Sequence, residues 1–381
     1  MIPPSWQHRL RQQADQRLAL GRNRAIHPAA GVDLCSNDYL SLRRDPRLAE
    51  AAAQAARTHG AGMGAARLLR GTTPLHDELE AALADWKGTE ACLLFNTGFQ
   101  ANATLIPALV GQGDAVFSDA LNHASLVDGC RMARAGGAHL GVFAHLDLGD
   151  LATQLAAWRG SAPTGALALV ASDAVFSMDG DAADLPGLLD LCDRHGAMLL
   201  LDEAHATGLL GCDGAGLAQL QGVHGRVPLV MGTLGKALGA FGAFVCCDAL
   251  LREHLVNAAR GFIFSTALPP PVVGAALEGV RIARAEPWRR GRALGLANRL
   301  RRALGQPDQP SAIVPVPVGP DIAAVRLAGL LQTEGFDVRA VRPPTVPEGS
   351  ARLRITTGAH LQDAQMEALA AALSAHAPYR F

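Results

Sequence analysis

The sequence predicts an α/β fold: a mostly parallel sheet flanked by helices, with an N-terminal arm before it and a small α+β domain after it. Two observations carry this. Between residues 91 and 247, short and fully apolar runs alternate with helical stretches, the pattern of strands buried on both faces. Hydrophobic residues make up 49% of the 381-residue chain while aromatics make up 4%, and 41 residues are glycine. Such a core is built from Ala, Leu, Val and Gly, and it allows backbone to approach closely.

The elements follow in order. Residues 4–24 read as a helical, arginine-bearing arm. DPRLAEAAAQAART (45–58) has Pro in its first turn and an alanine-rich continuation, both favouring helix. The glycine-rich loop GAGMGAAR (60–67) leads to a helix from Pro74, with Thr73 as its N-cap. The strand candidates are ACLLF (91–95), AVFS (115–118), LALVAS (167–172), AMLLL (197–201), LVMGT (229–233) and GAFVCC (242–247). After ALPPPVV the texture changes. Residues 271–304 read as helix, with Leu294, Ala297, Leu300 and Leu304 as its apolar stripe. Strands AIVPVPV (312–318) and ARLRIT (351–356), with helices at 321–334 and 361–374, complete the chain. The expected organisation is an arm (1–44), a large α/β domain (45–270) and a small C-terminal α+β domain with its connecting helix (271–381).

Composition excludes several functions. Thirty-four basic residues face 35 acidic ones, a net charge of −1, so nothing electrostatic favours a nucleic-acid or membrane-surface partner. The polar N-terminus lacks the apolar core of a signal peptide, and no apolar run is as long as a membrane span. Seven scattered cysteines without a C-x-x-C pair indicate neither a disulfide framework nor a metal site. The expected location is the reducing cytoplasm. The arginine-rich stretch 289–304 reads as the solvated face of an amphipathic helix.

In open α/β sheets, ligands bind beyond the carboxyl ends of the strands. Each candidate strand ends on polar residues: Asn96-Thr97-Gly98-Phe99, then Asp119, Asn122 and His123, then Asp173 and Ser177. Asp202, Glu203 and His205 follow the fourth, and Thr233 and Lys236 the fifth. Gly98 opens a helix whose free N–H groups suit a phosphate. Asp202 closes a run of five apolar residues, a costly place for a carboxylate unless a cation meets it. His123 offers a flat ring, and Lys236 lies among glycines where little blocks its amine. Singly these signals are weak, since a lone lysine is usually a solvated surface residue. Together, a phosphate cradle, a buried acid and an accessible lysine describe a site for pyridoxal 5′-phosphate (PLP).

SNDYL (36–40), LFNTGFQAN (94–102), NHASLVDG (122–129), VFSMDGD (175–181), DEAHATG (202–208), GTLGKALG (232–239), FSTALPP (264–270) and RPPTVPEGSARLRIT (342–356) resemble the α-oxoamine synthases, in order and over nearly the whole chain. These are fold-type I PLP-dependent transferases that condense an amino acid with an acyl thioester and release CO2. The resemblance implies that Lys236 carries the cofactor and Asp202 partners its ring nitrogen. It implies that His205 meets the phenolic oxygen, that His123 stacks on the ring, and that Ser177 lies beside it. Gly98, Phe99 and Thr233 would bind the phosphate, and Thr266 the phosphate of a neighbouring subunit, since family members are homodimers. Lys236, His123, Asp202 and His205 would be the catalytic set, with no metal. Arg354 would hold the amino-acid carboxylate. Arg24 (with Arg22 as the alternative), Asn37, Thr345 and His123 would meet the acyl substrate. Met63, Ala65, Asp173 and Ala174 depart from the family pattern.

The RPPTVP tail resembles family members that join L-alanine to a pimeloyl thioester in biotin synthesis. Whether CoA or an acyl-carrier protein delivers the acyl group stays open at this point. So do the sister activities of the 2-amino-3-ketobutyrate CoA ligase, 5-aminolevulinate synthase and serine palmitoyltransferase types. An aminotransferase shares the Asp–Lys logic but would need no thioester, and a non-catalytic PLP-binding regulator would not need the full residue set.

Overall fold

The computed structural model describes residues 1–376. The chain forms two compact units, and the division between them falls at residue 292/293 inside a helix. The larger comprises residues 38–177 and 181–292; the smaller comprises residues 1–37, 178–180 and the chain from Ala293 on. The sequence places the boundaries at 44/45 and 270/271; in the structure residues 1–37 share a unit with the C-terminal elements.

In chain order the arm is α1 (Pro4–Ala19) and β1 (Val32–Asp33). The larger unit then runs through α2 (Pro46–His59), α3 (Pro74–Lys87), β2 (Ala91–Phe95), α4 (Gly98–Leu109), β3 (Ala115–Asp119) and α5 (Ala124–Ala135). It continues with β4 (His139–Phe143), α6 (Leu148–Arg159), β5 (Ala168–Asp173), α7 (Leu185–His195), β6 (Ala197–Asp202) and α8 (Leu217–Leu220). β7 (Leu229–Thr233), β8 (Ala243–Cys247), α9 (Ala249–Ala258), α10 (Arg260–Ile263) and α11 (Pro270–Ala285) follow.

Side chains at the helix starts explain why the helices begin where they do. Asp45, Thr97, Asp147, Asp184 and Asp248 each accept a backbone N–H of the first turn. At α3 the Nδ1 of His76 accepts the Thr73 N–H at 3.2 Å, closing a capping pair around Pro74.

The seven-stranded sheet has the order β2-β8-β7-β6-β5-β3-β4. Only β8 is reversed, pairing antiparallel with both β2 and β7. β3, β5, β6 and β7 are buried nearly throughout, as fully apolar runs require when helices cover both faces. β4 is the strand the sequence did not reveal. It lies at the sheet edge with His139 and Val142 exposed, so its burial alternates and its run is not continuously apolar.

The expected single helix over 271–304 is two. α11 ends at Ala285 with Glu286 as its C-cap, and α12 (Pro287–Ala303) restarts on a proline that could not have continued the first. The buried face of α12 is Ala293, Leu296, Ala297 and Leu300, with Leu294 turned off it. Arg299 and Arg302 lie on the solvated face the sequence predicts, but two arginines of this stretch, Arg290 and Arg301, turn inward. Arg290 donates to the carbonyls of Ala283 (2.9 Å) and Cys212 (2.6 Å). Arg301 is 1% exposed and donates to Asn298, Ser311 and Ile313. Guanidinium forks here close chain turns by capturing carbonyls.

In the smaller unit, β9 (Ile313–Gly319), α13 (Asp321–Thr333), β10 (Phe336–Asp337), β11 (Ala340–Val341), β12 (Ala351–Thr356) and α14 (Asp363–His376) complete the chain. β11, β12 and β9 form an antiparallel sheet in that order. β1 pairs parallel with β10, and the Thr356 N–H donates to the Leu34 carbonyl at 2.8 Å. Among the described residues, no helix is long and apolar enough to cross a membrane.

Candidate active site

β5 and β6 end side by side, with Asp173 opposite Asp202 in the parallel register. Asp202 is 3% exposed. One of its oxygens accepts the Ala204 N–H at 2.8 Å and the other accepts Asn102 Nδ2 at 2.7 Å. Both donors are neutral, and among the described residues no cation pairs with it. A carboxyl group buried this way is built to meet a positive charge.

The turn after β6 brings His205 to Lys236. His205 Nε2 lies 2.9 Å from Lys236 Nζ, and His205 Nδ1 lies 2.6 Å from Tyr39 Oη. Lys87 anchors this turn from below: its Nζ donates to Glu203 at 2.5 Å, to Thr207 at 2.8 Å and to the Ala215 carbonyl. Gly216 has φ 137°, and a Cβ there would sit 2.0 Å from Glu203 Oε2. Glycine is therefore required where the backbone passes the buried ion pair.

His123 is the N-cap of α5, and α5 approaches α4 closely at Gly129, where a Cβ would meet the Asn102 carbonyl at 2.6 Å. This brings Asn102 Nδ2 to 3.0 Å from Ser125 Oγ, which lies 2.7 Å from His123 Nδ1. Asp173 accepts the His123 N–H at 2.7 Å. Burial, and then the neighbouring Asp202, hold the Asp173 carboxyl well above the usual carboxylate range. Burial pushes the His123 imidazole down; Asp202 opposes this and Lys236 reinforces it. His123 and Asp173 thus both feel the charges of Asp202 and Lys236, which places the four groups in one region.

At the start of α4, Thr97 Oγ1 accepts the Gln100 N–H at 3.0 Å, leaving the N–H groups of Gly98 and Phe99 open to an anion. Thr233 Oγ1 donates to the Gly242 carbonyl at 3.0 Å and accepts the Gly235 N–H at 3.2 Å, fixing the loop that carries Lys236. Thr266 is exposed, and its carbonyl accepts Asn96 Nδ2 at 2.8 Å beside that same helix start. Ser177 is half-buried in a hairpin closed by a bridge between Val175 and Ala182. His145 pins that hairpin, with Nε2 2.8 Å from Asp181 and Nδ1 2.9 Å from Asp119. Burial alone would lower its pKa, but the two carboxylates outweigh this and raise it to about 10.

The remaining candidates lie in the smaller unit. Arg22 is committed to Asp321 (2.6 Å) and Glu348 (3.1 Å), whereas the exposed Arg24 donates to the Pro343 carbonyl at 3.0 Å. Both line a cleft with Arg17, Pro344 and Val346. Thr345 is exposed on the neighbouring turn, and Asn37 is half-buried at the end of the arm. Arg354, half-buried in β12, donates to Thr356 Oγ1 at 2.9 Å.

Sequence reasoning missed Asn102, Ser125, Tyr39 and His145. It also passed over a count: Lys87 and Lys236 are the chain's two lysines. Lys87 is sealed in its ion pair with its side chain 3% exposed, so Lys236 is the lysine that a ligand can reach.

A site with open helix N–H donors, a buried acid short of a cation, and one approachable lysine fits PLP group by group. The chain belongs to the aminotransferase class I and II family, whose model matches residues 29–373. Within it, the chain is 52% identical over 352 residues to the 8-amino-7-oxononanoate synthase of Anaeromyxobacter sp. (strain K), covering 91% of this chain and 86% of that one. Among solved structures, it is similar to the serine palmitoyltransferase of Sphingomonas wittichii (32% identity, TM-score 0.89, 96% of each chain). It is also similar to a lysine-to-alanine variant of that of S. paucimobilis, solved with a bound PLP–myriocin aldimine (30% identity, TM-score 0.88, 99% and 98% of the two chains).

Proposed function

We propose that this chain is a PLP-dependent acyltransferase that condenses L-alanine with a pimeloyl thioester. The products are 8-amino-7-oxononanoate, CO2 and the free thiol, a step of biotin synthesis. The observation that carries this reading is the pairing of Lys236 with His205 beside the cation-seeking Asp202, in a chain 52% identical to a synthase of that name.

When bound, PLP supplies an aldehyde that takes up an amine and a ring that stores the electron pair left at the amino-acid Cα. The chain's residues do the rest. Asp202 holds the proton on the ring nitrogen, so the ring keeps its pull on electrons. Gly98 and Phe99 bind the phosphate through their N–H groups, and Thr233 supports them from the lysine loop. His205, set by Tyr39, orients the phenolic oxygen. Lys236 would hold the cofactor's aldehyde and, with its amine free, would take the Cα proton and return one after CO2 leaves. His123 and Ser177 flank the ring. Arg354 pairs with the alanine carboxylate, while Arg24, Asn37 and Thr345 meet the acyl substrate. A homodimer in which Thr266 reaches the partner's phosphate completes this reading.

The likeness to serine palmitoyltransferases supports a second reading, with serine and a long acyl chain as substrates. Alanine, glycine and serine are each offered with acetyl-, pimeloyl- and palmitoyl-CoA, and thiol release and product mass are followed. Alanine with pimeloyl-CoA is expected to give the highest kcat/KM. A higher value for any other pair overturns the assignment.

A further inference from the structure

We propose that Asn102 and Ser125 are positioning residues that lock His123 as a neutral imidazole with its proton on Nε2, and so make it a hydrogen-bond donor to substrate rather than a base. The functional part of this inference rests on the PLP reading above; the tautomer does not.

The backbone N–H of Ser125 points at His123 Nδ1 at 3.3 Å, and a backbone N–H can only donate. His123 Nδ1 is therefore an acceptor and carries no hydrogen. That excludes the imidazolium and the Nδ1–H tautomer alike. Ser125 Oγ lies 2.7 Å from the same Nδ1 and must then give its hydrogen to it. A hydroxyl that donates to the ring has its lone pairs left to accept, and Asn102 Nδ2 supplies the hydrogen at 3.0 Å. The second Nδ2 hydrogen goes to Asp202 at 2.7 Å.

The direction of this chain is set at its far end. Were the Asn102 amide turned over, its oxygen would face the Asp202 carboxyl and repel it. As placed, Asn102 Oδ1 is buried with no hydrogen-bond partner, so the protein leaves an acceptor unsatisfied to keep both N–H groups on Ser125 and Asp202. Asn102 is 0% exposed and Ser125 is 1% exposed, so water does not compete for these bonds. The position of His123 at the N-terminus of α5 acts in the same sense, since a helix N-terminus disfavours an imidazolium.

A consequence for the chemistry follows. The one polar atom His123 can offer a ligand is Nε2–H, which donates a hydrogen bond to an oxygen that gains negative charge. The thioester carbonyl oxygen is such an atom when Cα attacks it. Proton transfer at Cα is left to Lys236, because a neutral imidazole whose Nδ1 is already filled takes no proton.

The test is the ¹⁵N NMR of His123 with labelled histidine, in the protein with and without PLP between pH 6 and 8. A pyridine-like Nδ1 and a pyrrole-like Nε2 are expected in both. A pyrrole-like Nδ1, or two protonated nitrogens, overturns the inference. In the loaded enzyme, Ser125→Ala is expected to lower kcat about tenfold with the alanine KM unchanged, and Ser125→Thr to restore most of it. An unchanged kcat in Ser125→Ala refutes the positioning role. His123→Gln keeps an N–H near the Nε2 position and is expected to retain more activity than His123→Ala; equal loss in both overturns the donor role. If the protein takes up no PLP at all, the PLP reading fails while the NMR result still decides the tautomer.

Discussion

Tyr39 Oη lies 2.6 Å from His205 Nδ1, on the ring edge opposite the one that meets Lys236 at 2.9 Å. The tyrosine is fully buried, so this contact holds the imidazole in one plane without competition from water. Tyr39→Phe keeps the packing and removes the hydroxyl. PLP affinity is expected to fall about 3- to 10-fold, the worth of one hydrogen bond. A PLP titration followed by absorbance measures it, and an unchanged affinity removes Tyr39 from the cofactor's support.

With two lysines in the chain and Lys87 sealed in an ion pair, aldehyde chemistry has one side-chain target. Borohydride reduction of the PLP-loaded protein, then peptide mass mapping, is expected to mark Lys236 and leave Lys87 unmarked. Lys236→Ala is expected to lose the label and to lower turnover by at least ~10²–10⁴-fold, the usual weight of general acid–base help. Its unloaded form should melt within a few degrees of the parent. A label on Lys87 contradicts the site as drawn.

Lys87 and Glu203 form a pair with side chains 3% and 1% exposed. Removing one partner strands the other in the core. Lys87→Met is expected to cost about 3–5 kcal/mol in urea unfolding, and adding Glu203→Leu should recover part of that loss. A single variant as stable as the parent would show that the turn after β6 is held by packing alone.

His145 bridges Asp119 and Asp181, and its folded-state pKa of about 10 stands above the 6.5 of a free histidine. A raised histidine pKa means that its contribution to stability is complete below pH 6.5 and disappears as pH climbs towards 10. The unfolding free energies of the parent and His145→Gln are therefore expected to differ most at pH 6.5 and just below, to draw together as pH rises, and to converge above pH 10. Taking the difference removes the thiols of half-buried Cys35 and buried Cys192 and Cys247, which desolvation pushes up to about 12. A difference independent of pH would deny His145 its charge.

What the sequence made legible was what local pattern controls. Buried strands such as Ala168–Asp173 read directly because both faces are covered, and each pointed to the polar residue at its end. Asp202 and Lys236 were found that way. β4 escaped because an edge strand with Val142 55% exposed has no continuous apolar run. Arg301 departs from that pattern because charge predicts solvent, whereas here Asn298 and, 10 and 12 residues on, the Ser311 and Ile313 carbonyls draw the guanidinium inside. Asn102 and Ser125 carry no signal of their own; their meeting depends on how near α5 comes to α4, which Gly129 decides. Helix–helix distance is a tertiary quantity, and no periodicity encodes it.

The pairing of β1 with β10 bears on how the chain is made. Val32 waits for Phe336, which the ribosome adds some 300 residues later. At typical rates of synthesis that delay is about 15–60 s. The larger unit, nearly continuous in sequence, is fully synthesised earlier and can be complete by then. The arm that holds Arg24 and Asn37 must stay unpaired throughout. Its helix suits that wait, because α1 buries none of its residues in the finished unit and so does not depend on the last strands to cover them.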